Sequence, residues 1–379
     1  MKIVADDKIP FLNGVFEDKC EIEYLPGGEI DDLVLKNADA LITRTRTKCN
    51  ASSLEGSKVK MIASATIGFD HIDTEWCANN GIKWTNAPGC NAESVKQYLA
   101  SVFAQLVIDK GWELKGKKIA VVGVGNVGSR VSSLAKLLGM EVYEVDPPRA
   151  ETEKSTSFFK LEEIISDVDI ISFHTPLTRV GEDATYHLCN SNLLSKMKST
   201  AIVINSSRGE VVDGNALKSA LVSEEIEAAV LDVWEHEPNI DKELMDKCWI
   251  VTPHIAGYSL DGKANGTMMS IRAISRHFNL GMDDWLPQNI PEPKRKIIEL
   301  DCEYLSVERA LSSVLVHTYP IKEDDLRLRM NIKGFEKQRG AYPIRREFKA
   351  FDVVLTNGNK ELVELLKSLG FKNVKLLNQ

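Results

Sequence analysis

Along roughly the first 260 residues, short apolar runs alternate with segments whose apolar positions recur every three to four residues. The runs Lys2–Ala5, Ala40–Thr43, Met61–Ser64, Ile119–Val122, Glu141–Val145, Ile170–Phe173, Ala201–Asn205, Ala228–Leu231 and Ile250–Thr252 read as strands. Val95, Leu99, Val102, Phe103 and Leu106 share one face of a helix, and so do Val131, Leu134, Ala135 and Leu138. Strands that are apolar almost throughout, joined by helices, build parallel sheets covered on both faces.

The alternation falls into two α/β units. The first strand set ends near Ala87-Pro88-Gly89, and a long helical pattern from Ala92 to Asp109 bridges to a second unit starting at Gly116. A further helical stretch, Gly262 to Leu280, crosses back. Two connecting helices around a cleft suit a hinged ligand site. After Gly281 the texture changes: Pro287, Pro291, Pro293 and the basic run Lys294-Arg295-Lys296 mark a linker. The residues beyond it form a smaller α+β unit, whose last helix, Lys360–Leu369, carries Leu362, Val363, Leu365, Leu366 and Leu369. The expected domains are 1–95 with 262–285, then 96–261, then 286–379.

With 379 residues, 43% of them hydrophobic, the chain can bury more than one core. A net charge of −8 argues against nucleic-acid and membrane-surface partners. It leaves an anionic substrate open, because a few placed arginines decide that locally. The cysteines, Cys20, Cys49, Cys77, Cys90, Cys189, Cys248 and Cys302, are scattered and form no C-x-x-C pair. That pattern predicts reduced, buried thiols, with neither a disulfide framework nor a bound metal. The segment Met1–Asp7 opens as a strand without a signal-peptide core, and no apolar run reaches the ~18 residues of a membrane span, so a cytoplasmic location is expected.

The strongest local motif is Gly123-Val124-Gly125-Asn126-Val127-Gly128. A bare G-x-G-x-x-G is weak, but here the strand Lys118–Val122 runs into it and an amphipathic helix leaves it. Gly123 permits the tight turn, Gly125 lets backbone approach a pyrophosphate, and Gly128 lets the helix pack close to the sheet. The helix N-terminus then faces the phosphates. The next strand ends at Asp146, where a carboxylate would accept the adenosine ribose hydroxyls and repel a 2′-phosphate. NAD is therefore expected over NADP, with Arg149 nearby as the feature pointing the other way.

Hydride transfer at a hydroxyl-bearing carbon needs a base for the proton, a cation for the carboxylate and carbonyl, and a partner for the base. Three strand ends offer such groups: Asn205-Ser206-Ser207-Arg208-Gly209-Glu210, Leu231-Asp232-Val233-Trp234-Glu235-His236-Glu237-Pro238, and Val251-Thr252-Pro253-His254-Ile255-Ala256-Gly257-Tyr258. Taken singly, they read more readily as a surface arginine, a solvated acidic loop and a capped structural histidine.

Their order and spacing together resemble the D-isomer-specific 2-hydroxyacid dehydrogenase family over roughly residues 1–285. Thr66–Asp73, Gly123–Gly128, His174–Thr178, Asn205–Asp213, Leu231–Pro238 and Thr252–Gly257 carry the likeness. The resemblance implies a flavodoxin-like substrate domain and a Rossmann NAD domain, both doubly wound parallel sheets, plus a smaller C-terminal α+β dimerisation domain. It implies that Arg208 holds the substrate carboxylate and carbonyl oxygen, that His254 is the general acid–base, and that Glu237 bonds the other imidazole nitrogen and fixes its tautomer. Gly123, Gly125, Asn126, Val127, Gly128, Asp146, Thr175, Ser206, Ser207, Asp232 and Gly257 would line the cofactor, with Asp232 at the nicotinamide end.

The C-terminal unit lies outside the general family pattern. With Thr43–Thr47, the pair Tyr258-Ser259 and Tyr342–Phe348, it resembles a branch of the family that is homodimeric and takes a phosphorylated 2-hydroxy acid. Arg44, Thr45, Arg46, Thr66 and Tyr258 are the substrate-binding candidates, with Arg44 and Arg46 placed on one side of an extended segment. Arg345 and Arg346 are further phosphate candidates. Two alternatives stand beside this reading. One is a family member acting on 3-phosphoglycerate, glycerate or a plain 2-oxo acid. The other is an NAD(H)-sensing corepressor-like protein in which binding, not turnover, is the function.

Overall fold

The computed structural model describes residues 1–377 and divides into two compact units, residues 1–91 with 258–291 and residues 92–257 with 292–379. The first carries a parallel sheet of β1 (Lys2–Asp6), β2 (Glu21–Leu25), β3 (Ala40–Thr43), β4 (Met61–Ser64) and β5 (Lys83–Thr85), in the order β2-β1-β3-β4-β5. Every residue of β3 and β4 is buried, as expected for strands covered on both faces. Helix Leu260–Phe278 packs against this sheet behind the Ser259 N-cap, its first residue two positions before the Gly262 expected from sequence. It comes so close that a Cβ on Gly266 would stand 2.3 Å from the Ala65 carbonyl oxygen.

The second unit opens with α1 (Ala92–Asp109), buried over nearly its whole circumference. A six-stranded parallel sheet follows: β6 (Lys118–Val122), β7 (Glu141–Val145), β8 (Ile170–Phe173), β9 (Ile202–Asn205), β10 (Ala228–Leu231) and β11 (Ile250–Val251), ordered β11-β10-β9-β8-β6-β7. The chain reverses its direction of winding at β6, whose neighbours are β7 and β8. Ligands of such sheets bind outside the carboxyl ends of the strands at this switch point. The glycine motif leaves β6 there and opens α2 (Gly128–Leu137).

Register makes the sheet edge a platform. Val122 pairs with Val145 and Phe173, Phe173 with Asn205, Asn205 with Leu231, and Leu231 with Val251. All six strands therefore end at one level, and the residues that follow them, Gly123, Asp146, His174, Ser206, Asp232 and Thr252, emerge in a row.

The C-terminal residues add a third, three-stranded parallel sheet, β12 (Ile297–Asp301), β13 (Asp352–Thr356) and β14 (Asn373–Leu377), with helices α3 (Val307–Thr318), α4 (Ile321–Met330) and α5 (Lys360–Leu369). This sheet is separate, yet its helices dock on the nucleotide-binding fold: α3 packs along α1, and α4 against β11. Six of the seven cysteines are buried, and no helix of the described residues is long and apolar enough to cross a membrane.

Candidate active site

The three glycines of the loop are in the geometry that their proposed jobs require. Gly123 has φ +86°, and a Cβ there would meet Thr175 Cγ2 at 2.8 Å and the His174 carbonyl at 2.9 Å. A Cβ on Gly128 would stand 1.9 Å from the Gly123 oxygen, so this glycine lets α2 begin against the turn. Gly125 has nothing within 4 Å of its Cβ position, leaving backbone open to a ligand. Two buried hydroxyls on the same sheet edge, Thr175 Oγ1 and Ser206 Oγ, have no hydrogen-bond partner among the described residues. Buried polar groups without partners are costly, so open backbone and orphaned hydroxyls together fit a polar dinucleotide. Replacing Gly125 by alanine is expected to weaken NADH binding by tenfold or more, about 1.4 kcal/mol, with little change in melting temperature. Gly128→Ala should lower both. Fluorescence titration and thermal denaturation distinguish the two, and equal losses of stability would contradict the separate roles.

Asp146 stands at the end of β7, half-buried. Its Oδ2 accepts from Val124 N at 2.7 Å, and its Oδ1 caps the next helix through Arg149 N at 3.2 Å. It thus fixes the glycine loop as well as facing it. Arg149, the feature that pointed towards NADP, donates to Val124 O at 2.6 Å and Glu153 Oε1 at 2.6 Å. Its guanidinium is already held locally. His174, at the end of β8, is kept neutral by burial, which lowers its pKa to about 3.

The three carboxylates of the Asp232–Glu237 segment, indistinguishable in sequence, do different things. Asp232 is 1% exposed. Its Oδ1 accepts from Thr252 Oγ1 at 2.6 Å and Ile255 N at 2.7 Å, its Oδ2 from Ala256 N at 2.9 Å, and its carbonyl from His254 N at 2.6 Å. These bonds all run to the histidine loop, so Asp232 braces that loop from the end of β10. Burial pushes its carboxyl up, against the pull of His254 and these hydrogen bonds. Glu235 turns the other way, to His187 Nε2 at 2.8 Å and Gly214 N at 2.9 Å. Glu237 reaches the catalytic candidate: its Oε2 lies 2.8 Å from His254 Nδ1, while Oε1 accepts from Trp234 N at 2.9 Å. Burial alone would raise the Glu237 carboxyl, but the hydrogen bond and charge of His254 outweigh it, and the group lies below its ordinary value. It is therefore ionised, an acceptor that holds Nδ1–H and leaves Nε2 for proton exchange. The Nε2 atom has no partner among the described residues, and the side chain is 34% exposed.

His254 itself has φ +56°, a left-handed conformation that costs a non-glycine residue on the order of 1–3 kcal/mol. The Asp232 bonds hold it there. Arg208 follows β9, half-buried, on a turn tied by Asn205, whose Nδ2 donates to Arg208 O at 2.8 Å and whose Oδ1 accepts from Ser207 N and Oγ at 3.1 and 2.8 Å. A Cβ on Gly209 would fall 2.0 Å from the Trp234 carbonyl, so the arginine loop lies directly against the Glu237 loop. Arg208, Glu237, His254 and the cofactor candidates, including Asn126, Val127, Ser207 and Gly257, all belong to the second unit. Sequence reasoning missed the groups that brace them: Tyr98 Oη to Thr252 Oγ1 at 2.9 Å, and Trp234 Nε1 to Thr252 O at 3.0 Å. The apolar texture around Tyr98 gave no sign of a polar task.

Arg44, Thr45, Arg46, Thr66 and Tyr258 belong to the first unit. Residues 45–47 bend instead of extending β3, so the expected alternation of Arg44 and Arg46 does not apply. Arg44 is turned inward, its Nε and Nη2 each 3.0 Å from the fully buried Asp6, which leaves little of its fork for a substrate. Arg46 and Thr45 are exposed. Thr66 Oγ1 bonds Ser64 Oγ at 2.9 Å and Gly68 O at 3.1 Å. Arg345 and Arg346 are 5% and 7% exposed.

Residues 94–256 match the family model of the D-isomer specific 2-hydroxyacid dehydrogenase NAD-binding domain, and residues 290–370 match one described as a domain of unknown function, DUF3410. The chain is 47% identical to erythronate-4-phosphate dehydrogenase of Bacteroides fragilis over 94% of this chain and 100% of that protein. It is 42% identical to the enzyme of the same name from Porphyromonas gingivalis, over 98% and 100%. Among solved structures, the TT0316 protein from Thermus thermophilus superposes with a TM-score of 0.61 at 25% identity, covering 76% of this chain and 99% of that one. D-lactate dehydrogenase from Aquifex aeolicus, complexed with NAD and lactic acid, does so at 0.61 and 24% identity, covering 75% and 97%.

Proposed function

The chain belongs to the erythronate-4-phosphate dehydrogenases within the D-isomer specific 2-hydroxyacid dehydrogenase family, and on that premise we propose that it oxidises the C2 hydroxyl of 4-phospho-D-erythronate to give (R)-3-hydroxy-2-oxo-4-phosphooxybutanoate, a step towards pyridoxal 5′-phosphate. It is an NAD-dependent oxidoreductase acting on a CH–OH group. The observation that carries the mechanism is the 2.8 Å Glu237–His254 pair standing on the sheet edge that also carries the glycine loop.

NAD, when bound, supplies the hydride acceptor. His254 Nε2 takes the hydroxyl proton as general base. Glu237, ionised, steadies the imidazolium that forms and keeps the proton on Nδ1. Arg208 holds the carboxylate and the developing carbonyl oxygen with its planar fork. Arg44, Thr45, Arg46, Thr66 and Tyr258 are proposed to bind the rest of the substrate, although two nitrogens of the Arg44 fork are held by Asp6. The protein is proposed to act as a cytoplasmic homodimer.

Length supports this substrate over other family members. The two solved structures, TT0316 protein and D-lactate dehydrogenase, cover 75–76% of the chain, whereas the two erythronate-4-phosphate dehydrogenases cover 94–98%, C-terminal residues included. A complete Arg–Glu–His set favours turnover over cofactor sensing.

The test is NADH formation by the purified protein with 4-phospho-D-erythronate, 3-phosphoglycerate, D-lactate and D-glycerate, with a 2-oxo acid present to re-oxidise retained NADH. Preference for the four-carbon phosphate is expected. Activity confined to an unphosphorylated acid would overturn the substrate assignment.

A further inference from the structure

Arg345 is a charge in an expensive place. It lies in the C-terminal segment that matches a domain of unknown function, is 5% exposed, and its Nε and Nη1 are buried without hydrogen-bond partners among the described residues. An apolar residue would serve a purely structural core better, since a buried cation must have its donors satisfied to offset its lost hydration. The one donor that is engaged, Nη2, bonds the Ala256 carbonyl and Ser94 Oγ, and Ser94 Oγ itself donates to the Ala256 carbonyl at 3.0 Å. Ala256 is two residues from His254 and adjoins Gly257. Its N–H is held by Asp232, so both the N–H and the carbonyl of Ala256 are tied.

The cation is built in. Its guanidinium carbon lies 4.4 Å from the centre of the Tyr319 ring and 5.9 Å from that of Tyr342. Both tyrosine hydroxyls donate to Asp324 Oδ2, at 2.9 and 2.6 Å. A second handle from the same segment grips the strand leading into the turn: Asp325 Oδ1 accepts from Val251 N at 2.8 Å, on the free edge of β11. Arg329 pairs with Asp325 and reaches the Met245 and Cys248 carbonyls at 2.9 and 2.8 Å.

We propose that Arg345 is a positioning residue for the catalytic histidine: the C-terminal segment holds the Thr252–Gly257 turn in its left-handed, proton-transferring conformation. The domain of unknown function thereby acts inside its own subunit's chemistry, whatever part it takes in dimer formation. Acid–base geometry is sensitive to displacements of an ångström, which can cost on the order of 100-fold in rate.

The inference rests on His254 being the acid–base group, so His254→Ala is assayed alongside Arg345→Met and Arg345→Lys in the full-length protein. The readouts are kcat with 4-phospho-D-erythronate, KM for NAD, NADH affinity by fluorescence and melting temperature. Arg345→Met is expected to lose roughly 10- to 100-fold in kcat, with NADH affinity and KM for NAD within about twofold of the parent. Lysine keeps the charge but gives up the fork, and should fall between. If the methionine variant does not fold, the lysine variant decides: lowered kcat at unchanged NADH affinity supports the proposal. A folded variant with parental kcat overturns it, as does a parallel fall of kcat, NADH affinity and stability without improvement by lysine. If His254→Ala keeps parental turnover, the mechanism under Proposed function fails and takes this inference with it. If His254→Ala is inactive and Arg345→Met is not impaired, only this inference fails.

Discussion

Replacing His254 by alanine is expected to lower kcat by about 10²–10⁴, while NADH binds with close to parental affinity. The magnitude follows from what the ring does. Its Nδ1 is committed to Glu237 at 2.8 Å, and its Nε2 is the nitrogen without a partner among the described residues. Without that nitrogen the hydroxyl proton must leave to water, and about 1.4 kcal/mol is lost for each factor of ten. The glycine loop, Thr175 and Ser206 lie on other strand ends, so cofactor binding should survive. His254 has positive φ, which alanine tolerates poorly, and a shifted backbone could lower activity for a different reason. Asparagine accepts left-handed backbone more readily. His254→Asn should therefore match His254→Ala in rate and exceed it in melting temperature. Rapid-mixing measurements of NADH formation, with binding followed by fluorescence, decide the matter. Loss of NADH binding in step with turnover would show that the residue serves the cofactor pocket instead.

Much of this site was legible because chemistry and topology write to the same places. Strands such as Ile170–Phe173 and Ala228–Leu231 are buried on both faces, so they read as continuous apolar runs and their ends could be placed to the residue. In a parallel sheet with level strand ends, the residue after each run lies at the ligand edge, and Gly123, Asp146 and Ser206 each follow such a run. Edge strands were harder. β2, Glu-Ile-Glu-Tyr-Leu, is half solvated and carries acidic residues, and β5 has three residues. Neither leaves a run long enough to detect. The bracing groups were invisible for another reason. Nothing local distinguishes Asp232, Glu235 and Glu237, or tells that Arg44 turns to Asp6 and Arg345 to Ala256. Those assignments depend on contacts between residues tens to hundreds of positions apart, and a side chain's partner is set by the packed fold.

Glu237→Gln gives the second large effect, expected at roughly 10²–10³ in kcat by comparison with the range for acid–base groups. The substitution is nearly isosteric, and glutamine can still accept from Trp234 N through its amide oxygen. What disappears is the negative charge beside Nδ1. In the parent, that carboxylate lies below its ordinary value and stays ionised across the working pH range. It favours the imidazolium that appears when the hydroxyl proton is taken, and it accepts Nδ1–H only. Glutamine can present an N–H instead, and the ring would then carry its proton on Nε2, where a base is required. Rapid-mixing measurements of NADH formation, beside NADH affinity and melting temperature, check this. A fall in kcat at parental affinity and stability is expected. Parental kcat in the glutamine variant would mean that the charge beside Nδ1 is not used in the reaction.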